Sequence, residues 1–424
     1  MYFNRGVCSS QAYARKFENK APSDVGEAAY EWLSRGLLEG MVSFIERAKD
    51  DSYALYGAIY EFQRPEALAA LKAARRRKAK VKVVFDELGK KNGPTQKNLD
   101  AIAAAKLTRE CSGKTRGTIM HNKFLVLSYN GKPVAVWTGS TNWTENGIYG
   151  HSNCGHVVES EAIAQNFFDY WTQLSEDDAS EENRNWMDIN APAPPSPWSD
   201  DVVAVFSPRN DLSVLDWYAD IAGSAKSALF MTFAFGMNQR FLDVYEKDDD
   251  VLRYALMEKE GNGTSLEQGK IDIRRIRSRR NVIVAVANNL ELNILDRWVA
   301  ERRSINDKSH VKWIHTKYAL VDPLGAQPIV ITGSANFSKA STDVNDENML
   351  VIRGDKRVAD IYLTEFMRLH SHYAFRDAVK IARDNGEDFE ANRTRLSPDD
   401  SWQKDHYKNG HDRWLRRRYF SGVQ

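Results

Sequence analysis

Two histidines, each followed two residues later by a lysine, are the groups in this 424-residue chain best suited to chemistry. His121 and Lys123 lie in "IMHNKFLVLSYNGKPVAVWTGSTNWT" (119–144), and His315 and Lys317 lie in "WIHTKYALVDPLGAQPIVITGSANFS" (313–338). Alternate side chains of a strand share a face, so each imidazole should sit beside a fixed ammonium. Both segments end in Gly-Ser-x-Asn, with Ser140 and Asn142 in the first and Ser334 and Asn336 in the second. Two imidazoles, two ammonium groups and four neutral substrate-binding donors suit a tetrahedral oxyanion such as a phosphodiester. A lone histidine is ordinarily a satisfied core residue. Here the His and the Gly-Ser both recur at one offset, from 121 to 315 and from 140 to 334, 194 positions in each case. That recurrence points to one site built from two copies.

The elements that must position these side chains repeat as well. "FIERAKDDSYALYGAIYEF" (44–62) reads as a helix end followed by a strand, and "YADIAGSAKSALFMTFAF" (218–235) gives the same succession. A helix and a β-rich run follow in each half, ending in "VKVVFDE" and "NVIVAVANN". Strands alternating with amphipathic helices predict an α/β protein of two α-β-α sandwich halves. The expected division is an N-terminal half over 1–174, an acidic and then proline-rich extended linker over 175–200, and a C-terminal half over 201–424 with a helical, basic and aromatic tail. Residues 245–270 read as an insertion in the second half, a surface loop or a lid. His370 and His372 read as helix-surface histidines.

Composition narrows the setting. A formal net charge of +1 exerts no global pull on nucleic acid or an anionic membrane, so such attraction must be local. Three scattered cysteines, Cys8, Cys111 and Cys154, argue against a disulfide framework and fit a reducing compartment. No apolar run has transmembrane length and residues 1–25 lack a signal-peptide core, so the expected location is cytoplasmic. Both motifs lie in one chain, so a monomer suffices to complete the site.

The pattern H-x-K-x4-D followed by G-S-x-N resembles the phospholipase D superfamily over roughly residues 40–375. The second copy fits through His315, Lys317, Asp322, Gly333, Ser334 and Asn336, and "VNDENMLVI" places Glu347 where superfamily members keep a carboxylate behind the site. The resemblance implies two phospholipase D-like halves related by a pseudo-twofold axis. It also implies metal-independent, two-step hydrolysis through a phosphohistidine, with no cofactor. One His attacks phosphorus, and the other protonates the leaving oxygen and then activates water. Lys123 and Lys317 would hold nonbridging oxygens, and Asp322 would be structural support. The first copy departs from the pattern, with Ser128 at the Asp position and Asn153 at the Glu position. Glu347 therefore sets one histidine apart from the other.

The ending "NDEN" resembles the nuclease branch, and basic clusters at Arg75–Lys78, Arg274–Arg280 and Arg416–Arg418 favour nucleic acid as the phosphodiester substrate. The alternative is a phospholipase D acting on lipid head groups. Trp414, Tyr419 and Phe420 beside the last cluster suit stacking on single strands. In "HSNCGH", His151, Cys154 and His156 have borderline zinc spacing but no fourth ligand.

Overall fold

A computed structural model describes residues 1–91, 93–195, 198–199, 201–261, 266–287, 313–387 and 399–422. The chain carries two seven-stranded mixed sheets. The first comprises β1 (Tyr2–Phe3), β2 (Tyr53–Ile59), β3 (Lys80–Asp86), β4 (Cys111–Lys114), β5 (Lys123–Tyr129), β6 (Lys132–Gly139) and β7 (Cys154–Val158), in the order β1-β7-β6-β5-β2-β3-β4. Strands β2, β3 and β4 are parallel and are joined through helices Pro65–Arg76 and Thr95–Ala105, whereas β5 runs antiparallel to β2. The alternation of a strand fixes the layers. Leu55 and Leu125 join a core with Leu37, Met41 and Phe44 of helix Leu37–Glu46. Their neighbours Tyr56 and Phe124 point the other way and meet helix Glu161–Ser175 through Phe168 (4.8 Å) and Phe167 (5.0 Å). Both faces are covered, which is why these strands are apolar without strict alternation.

The second sheet comprises β8 (Val202–Ser207), β9 (Ala228–Phe233), β10 (Leu252–Met257), β11 (Val282–Val286), β12 (Tyr318–Val321), β13 (Ile329–Gly333) and β14 (Glu347–Arg353). Its first part repeats the plan above: β9, β10 and β11 are parallel and β12 runs antiparallel to β9. Two compact units result. One contains Met1–Leu215, the segment ending at Lys317, and Ile331–Ile352; the other contains Asp216 onward through β11, Tyr318–Val330 and Arg353 to the C-terminal helix.

Three expectations change. The stretch expected as an extended linker is helical over Ser180–Asn190, because Asn183 and Met187, one turn apart, are buried and Glu181 and Glu182 favour the positive end of the helix. The stretch expected as a loop or lid contains β10, whose six residues are all buried; "LRYALM" is a continuous apolar strand with one arginine, flanked by charge that disguises it. His370 is buried rather than on the helix surface, stacked on Phe366 at 5.6 Å and edge-on to Tyr254 at 4.9 Å. Among the described residues, no helix is long and apolar enough to cross a membrane.

Candidate active site

Every residue expected to do chemistry falls in the first unit, although the two copies are far apart in sequence. Two short backbone bridges bring them together in matching register. Met120, just before His121, pairs with Asp346, just before Glu347; Ile314, just before His315, pairs with Ser152, just before Asn153. The His121 amide donates to the Asp346 carbonyl (2.9 Å), and the His315 amide donates to the Ser152 carbonyl (3.2 Å). Each histidine is thereby held against the supporting residue of the other copy.

The support is crossed and unequal. His121 Nδ1 lies 3.0 and 2.9 Å from the two Glu347 carboxylate oxygens. His315 Nδ1 lies 2.9 Å from Asn153 Oδ1. The Asn153 amide is oriented by its neighbours, because its Nδ2 donates to the Gly147 carbonyl (2.9 Å) and its Oδ1 also accepts from Ser140 Oγ (2.9 Å). Oδ1 is then an acceptor, so the neutral His315 ring carries its proton on Nδ1 and leaves Nε2 as the acceptor nitrogen. A carboxylate on His121 Nδ1 sets the same tautomer there.

Burial pushes the His121 imidazole down to about 4, against the pull of Glu347 and with the help of Lys123 and Lys317. Burial also works to raise Glu347, but His121, Lys123 and Ser334 outweigh it and hold the carboxyl below its ordinary value. The two directions agree on a carboxylate facing a neutral imidazole. His315 is held well below 6.5 by burial and then by Lys317, His151, Lys123 and His121. Both imidazoles and both lysines thus act within one electrostatic field. Lys123 Nζ donates to the His121 carbonyl and Lys317 Nζ donates to the His315 carbonyl (2.5 Å), so each ammonium is folded back toward its own histidine. Burial brings Lys123 down to about 8, opposed by Glu347, Glu61 and Asp86.

The serines take a different place from the one expected. Ser140 is fully buried; its hydroxyl donates to Asn153 and accepts from the Cys154 amide (3.1 Å). Ser334, also fully buried, accepts from the Asn348 amide (2.9 Å) and supports Glu347. Both hydroxyls are turned toward the partners of the histidines, where Gly139 and Gly333 lie close against β7 and β14 backbone. Asn142 donates to Glu61 Oε2 (2.5 Å), and its Oδ1 and that of Asn336 have no hydrogen-bond partner among the described residues.

Asp322 lies in the second unit. Its carboxylate accepts from the Lys226, Ser227 and Ala228 amides at 2.9, 2.7 and 2.9 Å and so clamps the entry to β9. Its counterpart Ser128 is buried within β5, opposite Ala54. The substitution there alters a strand clamp and leaves the histidines untouched.

Four further residues converge on the site. The Tyr60 ring packs against His121 (5.0 Å between ring centres) and carries Lys123 Nζ at 5.2 Å. Glu61 anchors Asn142 and opposes the charge of Lys123. His151 lies against His315, with ring centres 5.6 Å apart. Asp346, fully enclosed, has its carboxyl pushed up to about 7 by burial, and Asn183 donates to it (3.1 Å). Tyr60 and Glu61 follow the end of β2, and polar residues at the carboxyl end of a parallel strand are a usable signal. In the sequence His151 carries only the zinc-like spacing with Cys154 and His156.

Residues 41–174 and 266–370, together more than half of the chain, match the family described as cardiolipin synthase, PLD-like domain. No curated protein matches the chain. Among solved structures, phosphatidylserine synthase from Haemophilus influenzae is similar at a TM-score of 0.51 with 11% identity, over 80% of this chain and 85% of that one. Nuc, a phospholipase D family member from Salmonella typhimurium, aligns at a TM-score of 0.28 and 21% identity over 39% of this chain and 91% of its own. The polyphosphate kinase of Porphyromonas gingivalis aligns at 0.49 and 11% over 80% of this chain, which spans 48% of the kinase. At such identities the likeness to the synthase is one of fold.

Proposed function

Because the chain belongs to the phospholipase D-like family, we propose that it is a phosphodiesterase acting on nucleic acid, with His121 as nucleophile and His315 as general acid and base. The observation that carries the assignment is the pairing of His121 with Glu347 and of His315 with the neutral Asn153. His121 Nε2 attacks phosphorus, the N–P bond forms, and the bond to the leaving oxygen breaks. The positive charge that develops on the imidazole ring is stabilised by the carboxylate behind it. His315 Nε2–H gives its proton to the leaving oxygen. The neutral ring then takes a proton from water as that water attacks phosphorus and releases His121. Lys123 and Lys317 supply positive charge at the nonbridging oxygens.

Nucleic acid is favoured by the basic clusters and by the surface of the unit that holds the site. The exposed large apolar side chains described there are Tyr129 and Ile189, and Tyr129 ends β5 at the strand terminus away from His121. A bilayer enzyme calls for an apolar rim. Parallel assays on single-stranded DNA, duplex DNA, RNA and phosphatidylcholine vesicles test the reading. Cleavage of a nucleic acid that weakens steeply with salt and survives excess EDTA is expected. Salt-insensitive turnover of the vesicles alone would replace this substrate with phospholipid, and loss of activity on chelation with recovery on adding a divalent ion would refute catalysis by these side chains alone.

A pH profile checks the acid. His315 must be protonated to protonate the leaving oxygen, yet burial and Lys317 hold its pKa well below 6.5, so the competent form is lost as pH rises. His121 must be neutral, and burial keeps it so down to about 4. For an oligonucleotide with an alkoxide leaving group, kcat/KM should peak on the acid side of neutrality and fall by up to about tenfold per pH unit above it. An alkaline optimum would contradict this division of roles.

A further inference from the structure

The second unit contains a cavity of about 500 Å³ whose walls come from two segments far apart in the chain. The turn after helix Leu266–Arg277 contributes Arg279 and Arg280, and the turn before helix Asp412–Phe420 contributes Lys408 and His411. One basic cluster and a segment far from it in the sequence therefore share one surface in the fold. Most of the charge around it is already matched. Arg277 is paired with Asp377, and Arg280 lies 2.9 Å from Asp250 and 3.5 Å from Asp248. His411 lies 2.7 Å from Asp412, which also takes Arg416. Among the described residues, Arg279 and Lys408 have no carboxylate partner and the buried Arg279 Nε has no hydrogen-bond partner. Two unmatched cations on one concave surface define a place for an anion.

The surroundings specify which anion. Tyr407, the residue before Lys408, is 66% exposed, and the Arg417 guanidinium lies 4.6 Å from its ring centre. Trp402 is 53% exposed, and Arg413 Nη1 donates to its carbonyl (3.4 Å). Exposed aromatic faces next to a cationic pocket suit a strand whose bases are free to stack; in a duplex the base faces are already stacked on one another. We propose that this cavity and Tyr407 form a second binding site, for single-stranded nucleic acid, in which Arg279 and Lys408 take a backbone phosphate and Tyr407 stacks a base. The choice of partner rests on the nucleic-acid reading of the active site, but the binding is measurable without catalysis.

The test is fluorescence anisotropy of the full chain with a labelled oligothymidylate of about 20 nucleotides, longer than one such module covers. Binding is followed over a range of salt, with hydrolysis of bis(para-nitrophenyl) phosphate measured alongside. The double variant Arg279→Ala/Lys408→Ala should bind about tenfold more weakly and lose about 0.7 from the slope of log affinity against log salt, the value for one phosphate neutralised on a single strand. Tyr407→Ala should weaken binding at least fivefold with the slope unchanged. Arg279→Lys/Lys408→Arg should retain the slope, which separates charge from folding. All variants should hydrolyse the small ester as the parent does. Parent-like oligonucleotide affinity in both alanine variants would overturn the proposal. So would a loss seen only with phosphatidylglycerol vesicles. Binding that follows the pattern in a chain that fails to hydrolyse the ester would leave this site standing and refute the catalytic reading.

Discussion

His121→Asn is expected to lower phosphodiester hydrolysis by on the order of 10⁴–10⁶ and to leave no trappable phosphoenzyme, because it removes the atom that bonds to phosphorus. His315→Asn should cost a similar factor with a poor leaving group, yet with a para-nitrophenolate leaving group it should still form the phosphohistidine and then stall. Such a leaving group departs without a proton, whereas the second step still needs a base for water. The asymmetry follows from Glu347, which lies 2.9 Å from His121 Nδ1 and is held below the ordinary carboxylate range by that imidazole and Lys123 against its burial. Rapid-quench capture with mass spectrometry reads the outcome directly. Phosphate trapped on His315 in the His121→Asn variant would reverse the assignment.

Glu347→Gln should lower the rate by on the order of 10³–10⁴, the scale found when a carboxylate behind a catalytic imidazole is made neutral. A glutamine amide is free to offer Nε2–H to His121 Nδ1 and so favour the unreactive tautomer, and it cannot stabilise the positive phosphoimidazole. Asn153 answers to a different requirement. Asn153→Ala removes the acceptor of the His315 Nδ1 proton and also a partner of Ser140, and should cost about 10–100-fold. Asn153→Asp places a carboxylate against His315, raises its pKa, and should move the falling limb of the kcat/KM profile to higher pH. A fall in rate from Glu347→Gln no larger than that from Asn153→Ala, or a limb that stays in place in Asn153→Asp, would show that the two supports do not differ in the way their charges require.

Much of this site is legible along the chain. The type of every reacting group, the two-residue step from His to Lys and the duplication at a constant offset belong to the order of residues. So does the strand character of β5 and β6, since period-2 geometry acts between neighbours. The parallel strand β10 and the helix Ser180–Asn190 are masked in the sequence because local charge outweighs a short buried pattern, while burial is settled by elements elsewhere in the chain. Only the tertiary structure decides which histidine receives the carboxylate. His121 and Glu347 are 226 positions apart, and the bridge from Met120 to Asp346 brings them together, with its counterpart from Ser152 to Ile314 seating Asn153 on His315. The same holds for Ser140 and Ser334, whose hydroxyls are interchangeable with substrate donors by type but are turned inward by the close packing of Gly139 and Gly333. Residue type sets what a side chain is able to donate or accept; the direction it faces and the charge beside it depend on contacts between segments that no local pattern encodes.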